Sequence, residues 1–433
     1  MTSSTPRRAM RDTASSRRAA PKVGIARHGR LKQVTPAGSI AKFVGIVAAV
    51  LATSVLILGT IVFVKFRTNL DIIPAQPGED APVQATQVEG GVNILLVGSD
   101  DRTGQGEEFG EGLDEASGRL NDVNMVIHLS QDLSHAEVVS IPRDTIIDTP
   151  ACTSDDGEDI EAQSFVPINS VLDTGGMNCV IKTVEAFSGL DIHHAAMVKF
   201  RGVIEMSNAV GGVPVCVSEP INDTYVGLQL DAGDHTLQGE DALKFLRTRH
   251  GVGDGSDLAR ISNQQVFLSS LIRTIKSNDT LTNPVRLYGL AQAVTQNMTL
   301  TQSLNDVNTL MGLAQSVAKI PTENISFISL PVVESASVPG KVEPLDGEDD
   351  ALWSMLKDDR SFADAKPEPT AAGPSTDPSM QSDDTMTSPE ETTVPEEDVT
   401  GDTATSSPTP TGAPDVQHLN ANKVTCANAN TFG

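Results

Sequence analysis

The longest apolar stretch of the chain runs from Phe43 to Val64 and contains no charged residue. At 1.5 Å per residue, a helix of this length crosses a hydrocarbon layer of roughly 30 Å. A signal peptide would have a shorter apolar region followed by a small-residue cleavage site. A helix buried in a soluble core is the other interpretation. The pattern favours a single transmembrane helix over residues 43–64.

Short apolar runs bounded by polar residues predict strands in the second part of the chain. These runs are Ile94–Val97, Asn124–Leu129, Ala136–Ile141, Val213–Val217 and Ile325–Leu330. The polar stretch Gln131–Ser134 suits a hairpin turn between the second and third runs, which would make that pair antiparallel.

Apolar residues at helical spacing predict helices between these strands. The predicted helices are the later part of Val171–Gly189, then Phe200–Val210, Glu240–Leu246, the stretch after Asp257, Val285–Thr295, Leu304–Ala318 and Ala351–Leu356. Asp257 is placed as an N-cap. Strands alternating with helices predict an α/β domain whose mixed sheet is covered on both faces.

Composition divides the chain into six segments. They are a basic disordered segment (1–42), the transmembrane helix (43–64), a linker (65–91), a globular domain (92–360), a disordered tail rich in Pro, Thr, Ser and acidic residues (361–415), and a C-terminal segment with Cys426 (416–433). The tail has too few large apolar residues to form a core. Within the domain, residues 103–118 are Gly- and Glu-rich and predict a loop.

Charge indicates the orientation of the membrane helix. The net charge is −26, yet residues 1–42 contain ten Lys or Arg and one acidic residue, Asp12. The positive-inside rule therefore places the N-terminus in the cytoplasm and the C-terminal domain outside the cell membrane. We expect the membrane as a partner, and no nucleic acid.

The four cysteines all follow the apolar stretch, and an even number in an oxidising location favours disulfides. They contain no CxxC pair, so a zinc site is not expected. Three pairings are possible. Cys152–Cys179 is favoured because both residues lie in loop-like sequence of one domain, and Cys216–Cys426 would then follow.

Five of the eight histidines lack metal-ligand spacing and are expected to be structural or surface residues. They are His128, His193, His194, His235 and His250.

An arginine-rich stretch follows the fourth predicted strand. Residues 245–267 read FLRTRHGVGDGSDLARISNQQVF and contain Arg247, Arg249 and Arg260, with Gln264 one helical turn after Arg260. Guanidinium forks match two oxygens at once, which suits a phosphate or pyrophosphate. A solvated surface with ordinary ion pairs is the alternative.

Charged residues also follow or precede the predicted strands: Asp100, Arg102, Asp122 and Arg143. Carboxylates bind Mg²⁺, and arginines together with Mg²⁺ bind a pyrophosphate. The chain has no P-loop, and ATP is scarce outside the cell. A transferase in this location needs a donor that carries its own activated bond, such as a polyprenyl-pyrophosphate-linked glycan.

Six segments in order between Asn93 and Leu268 carry a family resemblance: NILLVGSDDR, LNDVNMVIHL, VVSIPRDT, SNAVGGVPV, LDAGDHTLQGEDALKFLRTRH and DLARISNQQVFL. They resemble the LytR-CpsA-Psr family. Cys152, Cys179 and the GVGDGSD loop are similar to its actinobacterial branch. The resemblance implies an α-β-α sandwich with a central mixed sheet and a long apolar pocket. It also implies Mg²⁺-dependent transfer of a glycopolymer from a polyprenyl-(pyro)phosphate carrier to a peptidoglycan sugar hydroxyl.

Residue roles follow from the same resemblance. It implies metal binding by Asp100 and Asp122. It implies substrate binding by Arg102, Arg247, Arg249, Arg260 and Gln264, with Asp257 orienting the arginines, and it gives Arg143, Asp122 and Arg249 the catalytic roles. One departure is that many members have an arginine two residues before the second aspartate, where this chain has Leu120, with Arg119 one residue away.

Two classes of function therefore remain after the sequence. The favoured one is a phosphotransferase that acts on peptidoglycan during cell wall assembly. The alternative is a non-catalytic polyprenyl-phosphate-binding regulator of the cell envelope, or a polyprenyl-pyrophosphate phosphatase that uses the same pocket. The identity of the glycopolymer does not follow from the residues.

Overall fold

The structure is a computed structural model that describes residues 36–68, 71–73, 88–102, 119–276, 284–305, 307–362 and 418–428. The chain divides into two compact units, Met1–Phe63 and Val64–Gly433. The basic segment up to residue 35, the loop predicted at 103–118 and nearly all of the tail predicted at 361–415 lie outside the described residues.

Helix α1 spans Pro36–Thr68 and is longer at both ends than the apolar run that predicted it. Its stretch Ile40–Ile61 is long and apolar enough to cross a membrane by length and composition, and it is the one such helix among the described residues. The large apolar side chains of this stretch are exposed, as a lipid-facing helix requires.

An eight-stranded mixed sheet forms the centre of the second unit. Its strands, in spatial order, are β1 (Asp71–Ile73), β14 (Met298–Thr301), β9 (His194–Val198), β2 (Val92–Ser99), β3 (Asn121–Leu129), β4 (Ala136–Ile141), β15 (Ile325–Ser329) and β18 (His418–Asn420). The β3–β4 hairpin is antiparallel, as predicted, whereas β2 runs parallel to β9 and β4 runs parallel to β15.

Eleven shorter strands among the described residues form small peripheral sheets. They are β5 (Ile146–Thr149), β6 (Cys152–Thr153), β7 (Asp159–Ile160), β8 (Gln163–Pro167), β10 (Val213–Val217), β11 (Ile221–Asp223), β12 (Leu228–Leu230), β13 (Gly233–Leu237), β16 (Val332–Glu334), β17 (Val342–Pro344) and β19 (Cys426–Ala427). Most of them escaped prediction because they have five or fewer residues and little apolar alternation.

Helices cover both faces of the sheet. They are α2 (Val171–Ser188), α3 (Phe200–Val210), α4 (Glu240–Arg247), α5 (Asp257–Lys276), α6 (Pro284–Asn297), α7 (Val307–Lys319) and α8 (Glu348–Lys357), with 3₁₀ turns at Ile168–Ser170, Gln302–Asn305 and Thr322–Asn324. Alternate strand residues point to opposite faces. Thus Leu95 packs in the core with α2 and α8, while Leu96 packs in the core with α5 and α7. The predicted α-β-α sandwich with a mixed sheet is confirmed.

The start of α2 corrects one prediction, because the sequence placed a loop at the beginning of Val171–Gly189, whereas the helix begins at Val171. Gly176 has φ +72°, which produces a kink there. The Asp155 carboxylate accepts the backbone N–H groups of Met177 and Asn178 at 2.9 and 3.0 Å and so caps the second half of the helix. A side chain at Gly176 would collide with that carboxylate.

Two disulfides join the peripheral strands to the rest of the unit. Cys152 pairs with Cys179, which lies in α2 and not in the loop expected from sequence. Cys216 in β10 pairs with Cys426 in β19, and these two strands run parallel. The folded unit therefore extends beyond the predicted 92–360 domain, because β1 lies in the expected linker and β18 and β19 lie in the C-terminal segment.

Candidate active site

One end of the central sheet collects the charged residues that follow or precede its strands. Strand β2 ends at Ser99 and is antiparallel to β3, which is antiparallel to β4. The end of β2, the start of β3 and the end of β4 therefore meet at the same edge. This topology brings Asp100, Asp122 and Arg143 together.

The Asp122–Arg143 ion pair joins β3 to the loop after β4. Nη1 of Arg143 donates to Oδ1 of Asp122 at 2.6 Å, and Nε of Arg143 lies 3.5 Å from Oδ2 of Asp144. Asp144 in turn pairs with Lys341 at 2.5 Å. Burial alone would lower the pKa of Arg143, but the attraction of Asp122, Asp144 and Asp257 raises it above its ordinary value. The guanidinium is thus held in place by several carboxylates.

Asp257 connects two of the arginines. Its Oδ1 lies 2.6 Å from Nη2 of Arg260 and 3.7 Å from Nε of Arg143, and its Oδ2 accepts the backbone N–H of Arg143 at 3.3 Å. Nη2 of Arg260 also donates to the backbone carbonyl of Asp122 at 2.9 Å. Asp257 therefore orients these arginines across two elements of the fold.

The N-cap of α5 is Ser256, not Asp257 as the sequence suggested. Oγ of Ser256 accepts the backbone N–H of Ala259 at 3.2 Å, and Asp257 is the first helical residue. The one-residue difference matters because a capping carboxylate would be bound to its own helix. Asp257 is instead available to the arginines.

Asp100 lies beside Asp122 at the mouth of a cleft. Its Oδ1 accepts the backbone N–H of Leu120 at 3.0 Å. Burial, and next the negative charge of Asp122, raise the pKa of Asp100 despite that hydrogen bond and the charge of Arg102. The exposed Arg119 uses its backbone N–H to contact Asp173 at 3.0 Å.

Arg247 stacks on Phe200, with its guanidinium carbon 4.3 Å from the ring centroid. This places a cation over an aromatic face at the C-terminus of α4. Burial, together with the like charge of Arg102, lowers the pKa of Arg247. The two guanidinium groups therefore lie close enough to repel each other, and an anion between them would relieve that repulsion.

Arg249 is positioned by Asp223, a buried residue that the sequence did not single out. Oδ2 of Asp223 accepts the hydroxyl of Thr248 at 2.6 Å and the backbone N–H groups of Arg249 and His250 at 3.1 Å each. An isolated aspartate at the end of a short strand gives no signal of this role, since its partners lie about 25 residues away.

Buried guanidinium nitrogens at this site lack hydrogen-bond partners. Among the residues that the structure describes, none forms a hydrogen bond with Nε of Arg143, Arg249 or Arg260. Burial lowers the pKa of Arg260, and the charges of Arg143 and Arg249 add to this effect. Buried donors without acceptors are unfavourable, so an anionic ligand at this position would satisfy them.

A cleft of about 940 Å³, including its open mouth, runs from these charges between α3, α4, α5 and the sheet. Asp100, Asp122, Arg247, Arg260 and Gln264 border it, and its remaining wall is mostly apolar. That wall includes Leu96, Met125, Val203, Met206, Leu243, Leu246, Phe267, Leu268 and Leu271. The shape suits a ligand with a charged head and a long apolar tail.

The structure thus brings the predicted site residues to one end of the central sheet, where some border the cleft and others support it. Gln264 borders the cleft, and its Nε2 donates to the carbonyl of Leu246 at 3.2 Å, which joins α5 to α4. Arg143 and Asp257 support the cleft through ion pairs, and Arg102 is half-buried beside Asp100. Asp101 instead pairs with Lys199 at 2.7 Å.

Comparison with known proteins gives one family and several relatives. Residues 61–357 match the profile of the LytR_cpsA_psr family. The cell wall biosynthesis protein LcpA of Corynebacterium glutamicum is 33% identical over 267 residues, covering 56% of this chain and 50% of LcpA. This chain spans about half the length of the curated corynebacterial relatives it matches.

A second relative is the Bacillus subtilis protein named polyisoprenyl-teichoic acid–peptidoglycan teichoic acid transferase TagT. It is 27% identical over 293 residues, covering 64% of this chain and 84% of TagT. Among solved structures, the protein gbs0355 from Streptococcus agalactiae has a TM-score of 0.50 at 20% identity, covering 62% of this chain and 88% of that chain. That similarity concerns the fold alone.

Proposed function

This chain belongs to the LytR-CpsA-Psr family, and we propose from that premise and the cleft geometry that it is a glycopolymer–peptidoglycan phosphotransferase. Its donor is a glycan linked through phosphate to a polyprenyl carrier, and its acceptor is a peptidoglycan sugar hydroxyl. The observation that carries this proposal is a group of arginines at the charged end of an apolar cleft. Arg247 and Arg260 border the cleft, and the buried Nε atoms of Arg249 and Arg260 form no hydrogen bond with the described residues.

The reaction we propose is a displacement at phosphorus. The acceptor hydroxyl attacks the phosphorus that carries the glycan, and its proton passes to water. The bond between this phosphorus and the carrier's phosphate breaks, so polyprenyl phosphate leaves and a new phosphodiester forms. The arginine forks stabilise the charge that develops on the phosphate oxygens. The apolar wall of the cleft holds the polyprenyl chain, whose burial contributes about 25 cal/mol per Å².

Mg²⁺ is part of this proposal, with Asp100 and Asp122 as its ligands. Burial and mutual repulsion raise the pKa of Asp100, so this pair of carboxylates has negative charge that a hard cation would compensate. When bound, the ion would neutralise phosphate oxygens. Transfer should then stop on chelation and resume with Mg²⁺, and Asp122→Asn should require a higher Mg²⁺ concentration for half-maximal transfer.

The cellular arrangement is also proposed. Helix α1 anchors the chain in the cell membrane, with residues 1–35 in the cytoplasm and the catalytic unit outside, next to its lipid-linked donor. A reporter that works only in the cytoplasm should be active when fused at Lys32. A reporter that works only outside the cell should be active when fused after Gly91. Digestion of the N-terminus by protease added to intact cells would contradict this orientation.

The test of the function is transfer of a labelled polyprenyl-pyrophosphate-linked glycan to peptidoglycan by the purified chain. The proposal predicts labelled peptidoglycan together with stoichiometric polyprenyl phosphate. Release of polyprenyl phosphate without labelled peptidoglycan would indicate a phosphatase, and donor binding without either product would indicate a receptor. Both of these outcomes contradict the proposal.

A further inference from the structure

A second cluster of titratable residues lies at the opposite end of the sheet from the cleft. His128 is near the end of β3, His135 and Glu137 are at the start of β4, and Asp359 follows α8. Asp122 and His128 are six residues apart on β3, which at 3.3 Å per residue is roughly 20 Å. The cluster is therefore separate from the candidate active site.

The ligand atoms of this cluster have the spacing of a metal site. One atom each from His128, His135 and Asp359 lies within 4.8 Å of the other two. Oδ1 of Asp359 is 3.0 Å from Nε2 of His128 and 3.9 Å from Nε2 of His135, and Oε2 of Glu137 is 3.7 Å from Nε2 of His135. Tetrahedral zinc with bonds of about 2.0–2.2 Å places its ligand atoms about 3.3–3.6 Å apart, and the observed distances lie on both sides of that range.

The hydrogen bond between His128 and Asn93 determines which ring nitrogen of His128 is protonated. Nδ2 of Asn93 donates to the carbonyl of Asp191 at 3.0 Å, so Oδ1 of Asn93 faces Nδ1 of His128 at 2.8 Å. Nδ1 is therefore the protonated nitrogen, and in a neutral ring Nε2 presents its lone pair to a carboxylate oxygen. When Nε2 is protonated it forms a hydrogen bond with Oδ1 of Asp359 at 3.0 Å, and a cation would take the place of that proton.

The other three residues also form an outer hydrogen bond with one of their two polar atoms. Nδ1 of His135 is hydrogen-bonded to Oγ of Ser134 at 2.9 Å. Oδ2 of Asp359 accepts the backbone N–H of Gln131 at 3.1 Å, and Oε1 of Glu137 accepts that of Phe362 at 3.1 Å. Each residue thus uses one polar atom for an outer hydrogen bond and turns the other inward, which is the arrangement that orients metal ligands.

The charge of the cluster also favours a divalent cation. The side chains of His128 and Glu137 are fully buried, that of His135 is 8% exposed and that of Asp359 is 22% exposed. Burying carboxylates is costly unless they are paired or bound to a metal ion, and with neutral imidazoles the two carboxylates give the cluster a charge of −2. A divalent ion neutralises it.

We propose that Nε2 of His128, Nε2 of His135 and Oδ1 of Asp359 form a site for a tetrahedral transition-metal dication of the Zn²⁺ class, with the carboxylate of Glu137 beside His135. Three protein ligands and one water molecule would complete the tetrahedral shell. The ion would fix the segment that follows α8 to the ends of β3 and β4. Asp359 has φ +51°, an unfavourable conformation that such an anchor would maintain.

The test uses the full-length chain purified in detergent without a polyhistidine tag, stripped with EDTA and titrated with Zn²⁺. In the presence of excess Mg²⁺, which would occupy the proposed cleft site, we expect one equivalent of Zn²⁺ to bind and the melting temperature to rise until that equivalent has been added. Co²⁺ in the same site should show the visible absorption of a four-coordinate ion. His135→Gln should weaken Zn²⁺ binding by more than about a hundredfold, and Ser134→Ala, which removes only an outer hydrogen bond, by about ten- to a hundredfold.

Two matched controls separate this site from other binding. His235→Gln changes a residue whose Nε2 contacts the backbone carbonyl of Asp231, and Asp100→Asn changes the cleft. Both should bind one equivalent of Zn²⁺ with wild-type affinity. If wild type binds Zn²⁺ no more tightly than His135→Gln and Ser134→Ala do, or if Co²⁺ shows only the spectrum of its hydrated ion, the cluster is an ion-pair network and the proposal is wrong.

Discussion

Oδ2 of Asp223 accepts the backbone N–H of Arg249 at 3.1 Å, although the two residues are 26 positions apart in sequence. The same oxygen also accepts the hydroxyl of Thr248 and the N–H of His250. One buried carboxylate thus joins the end of β11 to the segment that carries an arginine of the candidate site. This carboxylate has a structural role, since it fixes the backbone from which the guanidinium group of Arg249 extends.

Removal of this carboxylate should disturb both stability and donor binding. Asp223→Ala loses several charge-assisted hydrogen bonds, so we expect the free energy of unfolding to fall by about 2–3 kcal/mol. Because Arg249 would lose its fixed backbone, the KM for the lipid-linked donor should rise. Urea unfolding and transfer kinetics measure the two effects, with the exposed Asp231→Ala as control. Equal donor KM values for wild type and Asp223→Ala would show that the residue does not position Arg249.

At pH 7, Asp100 should lower the stability of the folded protein compared with an uncharged side chain at the same position. Its pKa is raised by burial and by Asp122, so its contribution to stability is greatest below its ordinary value of 3.8 and is lost as the pH rises through the raised pKa. Asp100→Asn should therefore increase the melting temperature at pH 7 in EDTA, with a smaller gain as the pH approaches 3.8.

The same substitution should abolish most of the transfer activity, because it removes a proposed Mg²⁺ ligand. Lys182→Ala, at an exposed ion pair with Glu185, is the control and should change neither property. A melting temperature for Asp100→Asn at pH 7 that is equal to or below the wild-type value would contradict the electrostatic account.

The sequence predicted the parts of the fold with strong periodicity and missed those defined by tertiary contacts. Strand β4 and helix α3 were predicted with their observed bounds, because their apolar patterns are unambiguous. Strand β1 was assigned to a linker, since three residues have no periodicity and their only signal is the pairing with β14.

A similar limit applies to the candidate site. The arginines were recognised because guanidinium groups in a glycine-rich loop suggest phosphate binding. Asp223 was missed because its role depends on a long-range contact with Thr248. His128 was expected to be structural or on the surface because its spacing matches no metal motif, and His135 was not singled out; only the fold brings Asp359 to them.

The Cys152–Cys179 disulfide should contribute to stability without affecting catalysis. The two residues are 27 positions apart, and the chain-entropy model gives roughly 3–4 kcal/mol for a loop of this length. Replacing both with alanine should lower the free energy of unfolding by about that amount and leave the transfer rate unchanged well below the melting temperature. A transfer rate that falls while the protein remains folded would indicate that this region takes part in the reaction.

The central claim is that the arginines of the candidate site act on the donor's phosphates. Arg249, whose charge acts on Arg260 of the cleft, tests this claim most directly. Its Nε is buried without a hydrogen-bond partner among the described residues, so its replacement should cost little stability. Loss of one charge-assisted hydrogen bond in the transition state raises the activation barrier by about 1.5–3 kcal/mol, which slows the reaction by roughly ten- to a hundredfold.

The measurement is the rate of transfer of labelled polyprenyl-pyrophosphate-linked glycan to peptidoglycan by wild type, Arg249→Ala and Arg249→Lys, with folding checked by melting temperature. We predict that Arg249→Ala is slowed by at least about tenfold and that Arg249→Lys is also impaired, because an ammonium keeps the charge but not the fork. Arg273→Ala, on the far end of α5 where Nη1 contacts the carbonyl of Ala421, should transfer at the wild-type rate. Wild-type transfer by a normally folded Arg249→Ala would show that this arginine is an ordinary surface charge and would contradict the account.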